Sequence, residues 1–184
     1  MRASLIPASI MSTTGSDQTP TTAQVPPSSA SVPTQGQSAF PPLPGPDLTS
    51  RLTLPLRRVD YALKGYHLDA IVPLEKVVST ATELEREGFA LDTITGVDWL
   101  AESQMEVIYD YFHPVNGVRV VIRSRISRDQ PDVPSIAEVF PGANWHERET
   151  HDFFGINFLG HPNLAPFLLP EDATYHPLRK DFTS

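Results

Sequence analysis

From residue 66 onwards, the order of hydrophobic and polar residues predicts a strand followed by an amphipathic helix. Residues 66–72 form a short run rich in apolar side chains, which favours a strand. Pro73 suits the first turn of a helix that continues to about Glu87. Apolar residues recur in that helix every three or four positions, and Gly88 suits the left-handed conformation at its end. The pattern is that of a helix laid on a sheet.

Three further strands follow the helix. Residues 90–99 and 106–113 are rich in residues that favour strands, and residues 118–126 alternate between apolar and polar side chains. An Asn-Gly pair between the second and the third of these runs predicts a tight turn. Strand, helix and antiparallel meander together predict an α+β fold. We expect a two-layer sandwich, with a mostly antiparallel sheet and helices on one face.

The last third of the chain predicts two helices and then an irregular ribbon. Ser135 and Glu138 have the spacing of a capping box, which predicts a short helix ending near residue 142. Asn144 then begins a second helix that ends at Gly155. From about residue 156 to residue 184, four prolines interrupt any long helix or central strand. The large apolar side chains of this ribbon must lie against the ribbon's own domain or against a partner protein.

The second predicted helix places a carboxylate among aromatic side chains. Trp145, Glu149 and Phe153 follow one another at four-residue spacing and share one face. A buried Glu149 needs a basic partner or a proton, so the sequence predicts an Arg, Lys or His beside it. Alternatively, the helix docks edge-on and Glu149 reaches solvent.

The polar residues of the same helix resemble a zinc site but lack its spacing. His146 and His151 are five residues apart, whereas zinc metalloproteases place two His four apart on one helix face. Arg148 with Asp152, and Glu147 with His151, have the four-residue spacing of solvated surface pairs.

Composition excludes several classes of function. The chain has 184 residues, no Cys and a net charge of -8, so thiolate metal sites, disulfides and a basic nucleic-acid surface are not expected. Glycine-rich nucleotide loops and a Gly-x-Ser-x-Gly elbow are absent from the sequence. No apolar run reaches the roughly 20 residues of a membrane-spanning helix. We therefore expect a soluble chain that reaches a membrane only through a partner.

Residues 1–50 differ from the rest of the chain. They contain nine Pro and sixteen Ser or Thr but only three charged residues, which is typical of a disordered tail. A targeting leader and a start codon further along, at Met11, remain alternatives. Residues 51–184 then form one domain, with a docking segment at about 156–184.

The sequence from residue 147 onwards resembles the 30-kilodalton (C) subunit family of respiratory complex I. Three motifs carry the resemblance: ERETHDFFGINFLGHPNL at 147–164, LPED at 169–172 and PLRKDF at 177–182. The layout of residues 66–126 is compatible with that family, and residues 1–50 fall outside the resemblance.

The resemblance implies a non-catalytic structural and assembly subunit in the hydrophilic arm of a proton-translocating NADH:quinone oxidoreductase. Such a subunit docks on the larger quinone-site subunit (49 kDa type) and binds no cofactor or metal. NADH, FMN, iron-sulfur clusters and quinone belong to the rest of the complex. The implied location is the cytoplasmic face of a bacterial inner membrane, with the mitochondrial matrix side as the alternative. The residues that the motifs assign to the helix, the partner interface and the ribbon are Glu147, Arg148, Glu149, Asp152, Gly155, Gly160, His161, Pro162, Arg179, Lys180 and Asp181.

Two departures from the family pattern leave a second branch open. Ala165 and Pro166 stand where many members have two basic residues, and the sequence ends two residues after the PLRKDF motif. Because of both features, the sequence does not decide between a complex I subunit and the equivalent subunit of membrane-bound, energy-converting hydrogenases. The second feature also argues against a mitochondrial member. An alternative of another class is a free-standing metal-dependent hydrolase that uses the residues from His146 to Asp152.

Overall fold

The computed structural model describes residues 51–183, and the tail predicted for residues 1–50 lies outside this range. Two short 3-10 helices, Leu74–Lys76 and Leu100–Glu102, join longer elements. In chain order the strands and α-helices of the described part are β1 (Arg57–Arg58), α1 (Tyr61–Lys64), β2 (Leu68–Ile71), α2 (Val77–Arg86), β3 (Ala90–Trp99), β4 (Gln104–Phe112), β5 (Arg119–Ser127), β6 (Asp132–Pro134), α3 (Ala143–Phe154) and β7 (Asn157–Leu159).

Five strands form the main sheet in the order β1-β2-β5-β4-β3. The meander of β3, β4 and β5 is antiparallel, as the sequence predicts, and the hairpin between β4 and β5 turns at Gly117 with a φ of 70°. β2 pairs in parallel with β5, because α2 carries the chain across to the far edge of the sheet before the meander begins. The α+β prediction with a mostly antiparallel sheet is confirmed.

One face of the sheet carries the hydrophobic core. Alternate residues of β4 and β5 point into it, and so do the apolar residues of α2. Their side chains form one contiguous cluster in which Leu68, Ala81, Leu84, Met105, Val107, Tyr109, Val120, Ala143 and Ile156 are fully buried.

The opposite face of the sheet is lined by ion pairs. Arg119 pairs with Asp92 and Asp110, and Arg125 pairs with Glu106 across adjacent strands. These residues occupy the polar positions of their strands. In the β4–β5 hairpin, apolar side chains therefore point to the core and polar side chains to the charged face, as alternation with a period of two predicts.

The structure differs from the predicted elements near residues 135–142. The short helix expected there is wrong: residues 137–139 form a single turn. Ser135 does not form a capping box with Glu138, and its hydroxyl donates to a carboxylate of α3. α3 itself begins at Ala143, one residue before the predicted start, with Gly142 as its N-cap. The Ser135 hydroxyl also accepts a local bond of 3.1 Å from the Ala137 N–H, so its bond to α3 adds a distant partner that the capping-box spacing does not show.

The predicted ribbon is shorter than expected at its beginning. Residues 157–159 form β7, which pairs in parallel with β6 and makes a second, two-stranded sheet. Sequence pattern does not reveal this pairing, because both strands have three residues. We call residues 160–183 the C-terminal segment.

Gly96 on β3 is the point of closest approach between α3 and the sheet. A Cβ atom at this position would lie 2.6 Å from Cδ2 of Phe154. We expect Gly96→Ala to lower the free energy of unfolding by about 1–2 kcal/mol, because α3 must shift away from β3. Denaturant titration of the purified chain measures this loss. Gly142→Ala is the control, since no atom lies within 4 Å of the place that its Cβ would take. If Gly96→Ala and Gly142→Ala lower the free energy of unfolding equally, the close contact between Gly96 and Phe154 is not the cause of the loss.

Candidate functional site

The orientation of α3 differs from the sequence prediction. Glu147 and Thr150 lie on its buried face, while Trp145 and Glu149 are exposed. The prediction that Glu149 is the buried carboxylate between aromatic residues is wrong, and its alternative, a solvent-exposed Glu149, is what the structure has. The helix directs Phe154 towards the sheet, where the missing side chain of Gly96 allows the ring to approach β3 closely.

Glu147 is the carboxylate that α3 buries, with an exposed fraction of 0%. Its Oε2 accepts a hydrogen bond of 2.5 Å from the Ser135 hydroxyl, and its Oε1 accepts one of 2.8 Å from the Ile136 N–H. Burial raises the pKa of Glu147 to about 7, although these two bonds act in the opposite direction. Glu147 thus joins α3 to the turn after β6 and titrates near neutral pH.

His161 lies beside Glu147 and is held neutral. Its Nε2 is 3.9 Å from Oε2 of Glu147 and within 3.2 Å of the Asn144 carbonyl oxygen, and its Nδ1 accepts a 3.0 Å bond from the Asn163 N–H. Because Nδ1 accepts, the ring proton is on Nε2 and is donated to Asn144. Burial lowers the pKa of His161. The first residues of the C-terminal segment are therefore fixed to the start of α3 by a neutral imidazole.

Asp152 holds the middle of the C-terminal segment. It is 4% exposed, and its Oδ2 accepts hydrogen bonds from the N–H groups of Leu168, Phe167 and Leu169 at 2.6, 2.9 and 3.1 Å. Burial by itself would raise the pKa of Asp152, but the three donors outweigh it and the pKa lies below its usual value. A buried, ionised carboxylate thus organises three consecutive backbone amides.

The C-terminal segment also caps the end of α3. The last carbonyl groups of a helix have no partner within the helix. Here the Phe153 carbonyl accepts from the Leu178 N–H at 3.1 Å, and the Phe154 carbonyl accepts from Nε of Arg179 at 2.7 Å. Gly155 follows with a φ of 71°, and a Cβ atom there would lie 2.5 Å from the Arg179 guanidinium. A cation at this end also interacts favourably with the helix dipole.

Asp98 joins the end of the C-terminal segment to the main sheet. This residue of β3 is 2% exposed and accepts two hydrogen bonds from Arg128 and one, at 2.9 Å, from the Lys180 N–H. Arg128 also donates to Asp181 at 2.5 Å. Arg179, Lys180 and Asp181 therefore all contact their own domain. Sequence reasoning missed Asp98 and Arg128, because nothing in a strand pattern shows that they face residues of the C-terminal segment far along the chain.

Arg148 does not pair with Asp152 as the four-residue spacing suggests. Its guanidinium donates to the carbonyl oxygens of Ala165 and Pro166, both at 2.8 Å, and lies 5.3 and 5.1 Å from the ring centres of Trp145 and Phe167. Glu147 and His151 do not pair either, since Nδ1 of His151 bonds to the Ile156 carbonyl. In place of these pairs, Arg148, His151 and Asp152 contact residues that follow α3. Glu147 contacts Ser135 and Ile136, which precede it.

The remaining motif residues take different places. Gly160 adopts a φ of 83° directly after β7, and Pro162 is exposed beside the buried ring of His161. Glu149 borders a cleft of about 180 Å³ between β3 and α3, together with Gly96, Phe153 and Leu178. The structure therefore brings most of the motif residues into the contact of α3 with the C-terminal segment and leaves Glu149 outside that contact.

Large apolar side chains remain on the surface of this region. We call this set the apolar patch: Trp145, Leu159, Phe167, Leu168, Tyr175, Leu178 and Phe182, whose exposed fractions lie between 37% and 54%. Two pairs of these residues are in contact, with ring centres 5.1 Å apart for Trp145 and Phe167 and 5.7 Å apart for Tyr175 and Phe182. Exposed apolar groups on a structure fixed by buried charges are typical of a protein–protein contact surface.

Within residues 51–183 the arrangement offers no ready chemistry for a metal. No three His, Asp or Glu side chains of this part of the chain lie close enough together to hold an ion. None of its helices has the length and apolar character needed to cross a membrane.

Comparison with known proteins points to one family. The sequence model described as the respiratory-chain NADH dehydrogenase 30 kDa subunit matches residues 70–184. The C subunit of the NADH-quinone oxidoreductase of Roseiflexus castenholzii is 49% identical over 92 residues, which are 50% of this chain and 53% of that protein. The C subunit of the F(420)H(2) dehydrogenase of Methanosarcina mazei is 40% identical over 96 residues, 50% of this chain and 59% of that protein.

Solved structures give a similar result. A chain of the membrane-bound sulfane sulfur reductase, an archaeal respiratory membrane complex, matches with a TM-score of 0.59 and 29% identity, over 63% of this chain and 71% of that chain. The present chain spans a little over half the length of the two curated relatives. Because the family match covers more than half of its residues, the chain belongs to the family of the 30 kDa subunit of respiratory-chain NADH dehydrogenase.

Proposed function

We propose that this chain is a structural and assembly subunit in the hydrophilic arm of a proton-translocating NADH:quinone oxidoreductase. In this function it docks on the larger quinone-site subunit through α3 and the C-terminal segment. NADH, FMN, iron-sulfur clusters and quinone are bound by other subunits, and this chain contributes no catalytic residue. The complex holds it peripherally at the cytoplasmic face of the bacterial inner membrane.

One observation carries the proposal: the C-terminal segment is fixed by buried charged groups while its apolar side chains face outwards. Asp152, Asp98 and Arg179 hold the backbone of this segment on α3 and β3. A segment held so firmly does not need the apolar patch for its own folding. A protein partner that covers these side chains explains why they remain exposed.

A second candidate is the equivalent subunit of a complex with another electron donor or acceptor, such as an energy-converting hydrogenase. The similarity to an F(420)H(2) dehydrogenase subunit and to a sulfane sulfur reductase chain favours it. Co-migration of the chain with NADH dehydrogenase activity in a native gel supports the first candidate. Migration with a nickel hydrogenase and without NADH activity supports the second.

The geometry gives little support to a metal-dependent hydrolase. His151 is engaged by the Ile156 carbonyl at 2.9 Å, and Glu147 is enclosed by Ser135 and Ile136. Neither side chain is free to bind an ion together with His146. A stoichiometric metal ion retained by the purified chain after chelation would favour the hydrolase instead.

We expect Leu168→Ser combined with Leu178→Ser to reduce recovery of the chain in the purified complex by at least tenfold. The two side chains are 52% and 53% exposed, so the substitutions should leave the isolated fold intact while removing apolar contacts to the partner. Quantitative immunoblotting of the complex measures recovery, and the thermal midpoint of the isolated chain checks folding. Leu63→Ser with Val115→Ser is the matched control, because these residues are 80% and 89% exposed on α1 and the β4–β5 turn. Normal recovery of the Leu168 and Leu178 variant would refute the docking surface.

A further inference from the structure

The net charge of the folded part is concentrated in one stretch of sequence. Residues 129–178 contain eight acidic side chains and one basic side chain, whereas the rest of residues 51–184 contains twelve of each. This stretch contains α3 and most of the C-terminal segment, and it also carries six of the seven residues of the apolar patch. The part of the chain that we propose as the docking region is thus also its acidic part.

Most of these carboxylates have no partner among the described residues. Glu147, Asp152 and Asp132 are hydrogen-bonded within the domain. The other five are exposed and form no hydrogen bond or ion pair through their carboxylates with any described side chain: Asp129, Glu138, Glu149, Glu171 and Asp172. The single basic residue of the stretch, Arg148, is already used by two backbone carbonyls and two aromatic rings. The described residues therefore supply no cation that pairs with these five carboxylates.

Two of the unpaired carboxylates are near exposed members of the apolar patch, Glu149 in the structure and Glu171 in the sequence. Glu149 borders the same cleft as Leu178. Glu171 lies in the turn that follows the three residues organised by Asp152, three positions after Leu168. An apolar centre with charged groups at its rim is the usual composition of a specific protein interface.

We infer that the docking surface is selective for a basic partner surface, in which Arg or Lys side chains flank an apolar centre and pair with Glu149 and Glu171. This inference rests on the proposed docking function and adds the chemistry of the partner to it. A neutral partner would leave both carboxylates unpaired at the rim, and an acidic partner would repel them. Opposite charges also speed the encounter of two proteins by one to three orders of magnitude.

Competition during assembly tests the inference. Wild-type and variant full-length chains with distinguishable tags are expressed together, and mass spectrometry compares their ratio in the purified complex with their ratio in the total cell protein. We expect Glu149→Lys with Glu171→Lys to be under-represented in the complex about tenfold, and the corresponding Gln pair about threefold. The control is Glu75→Lys with Glu85→Lys, which makes the same charge change at exposed residues on the 3-10 turn and α2. The control should be incorporated like the wild type.

Each outcome decides one of the two proposals. If the Glu149 and Glu171 variants are incorporated like the control while the Leu168 and Leu178 variant is excluded, the docking surface stands and the basic partner is refuted. If all variants are incorporated normally, both proposals fail. A third outcome is that the complex excludes the Lys pair but incorporates the Gln pair, and that the thermal midpoint of the Lys variant falls. Damage to the fold then explains the exclusion of the Lys pair, and the basic partner is refuted.

Discussion

Asp152→Ala should lower the free energy of unfolding of the chain by about 4 kcal/mol, the largest loss that we expect from a single substitution. The variant leaves the three N–H groups of Phe167, Leu168 and Leu169 without their acceptor. Hydrogen bonds to a charged group contribute about 1.5–3 kcal/mol each but are not additive, and breaking a buried charged contact costs about 3–5 kcal/mol. Urea titration measures the loss, and faster chymotryptic cleavage after Phe167 or Leu168 locates it.

The control for Asp152 is Asp172→Ala, which removes an exposed carboxylate without a partner among the described residues from the same segment. It should change stability by less than about 0.5 kcal/mol. Asp152→Asn keeps one acceptor oxygen and should fall between the two. If Asp152→Ala behaves like Asp172→Ala and cleavage is not faster, Asp152 does not hold the segment.

Acid should have the same effect on the wild type as this substitution. The pKa of Asp152 is lower in the folded state than in the unfolded chain, so its contribution is complete above the unfolded pKa of about 4. The contribution is lost as the pH falls below that value and through the folded-state pKa. The difference in stability between wild type and Asp152→Ala should therefore be constant near neutral pH and shrink below about pH 4.

Sequence periodicity was sufficient for the sheet but not for the direction in which α3 faces. Residues 118–126 alternate between apolar and polar side chains, so a period of two indicates the buried face of β5. β3 follows this pattern less closely, because its register shifts between Leu91 and Thr93 and it buries Asp98. α3 has aromatic residues on one face and Glu147, Thr150 and Asp152 among its buried residues, so its apolar stripe indicates the wrong orientation. The orientation of α3 involves residues of other elements, such as Gly96 on β3, which gives space to Phe154.

The contacts of the C-terminal segment were equally hidden from the sequence. The spacing of Arg148 and Asp152 favours a pair within the helix, but each finds backbone groups 15 or more residues further along. The chain bends in this segment, which contains four prolines, and the bend brings those groups back to α3. Residue spacing predicts which side chains are neighbours within one helix. It does not predict hydrogen bonds from the charged side chains of that helix to backbone groups of a distant segment.

Glu147→Gln should stabilise the chain at pH 8 by about 2–3 kcal/mol relative to the wild type, because glutamine carries no charge to bury. The pKa of Glu147 is raised to about 7 in the folded state, against roughly 4.3 in an unfolded chain. The native state thus binds a proton that the unfolded state releases, and stability is greatest below about pH 4.5. It declines as the pH rises from there to about 7 and is constant above, where the buried carboxylate is ionised in both states. Glutamine avoids this decline, so the two proteins should be equally stable near pH 4.5.

Measurement of the difference between variant and wild type cancels the titration of other groups, except those that contact Glu147. His161 lies 3.9 Å away, and burial lowers its pKa, so it stays neutral above about pH 6.5 and does not disturb the comparison at pH 8. Glu149→Gln is the matched control, because Glu149 lies two residues further along α3 and is exposed. Its stability at pH 8 should be within about 0.5 kcal/mol of that of the wild type.

Glu147→Leu separates the two tasks of this side chain. Leucine also removes the buried charge, but it leaves the Ile136 N–H without the acceptor that Oε1 supplies at 2.8 Å. An unsatisfied buried donor costs about 1–3 kcal/mol, so the Leu variant should gain less than the Gln variant or lose stability. If Leu and Gln variants are equally stable at pH 8, the link to Ile136 is unimportant. If both are less stable than the wild type, the ionised carboxylate itself stabilises the contact between α3 and the turn after β6.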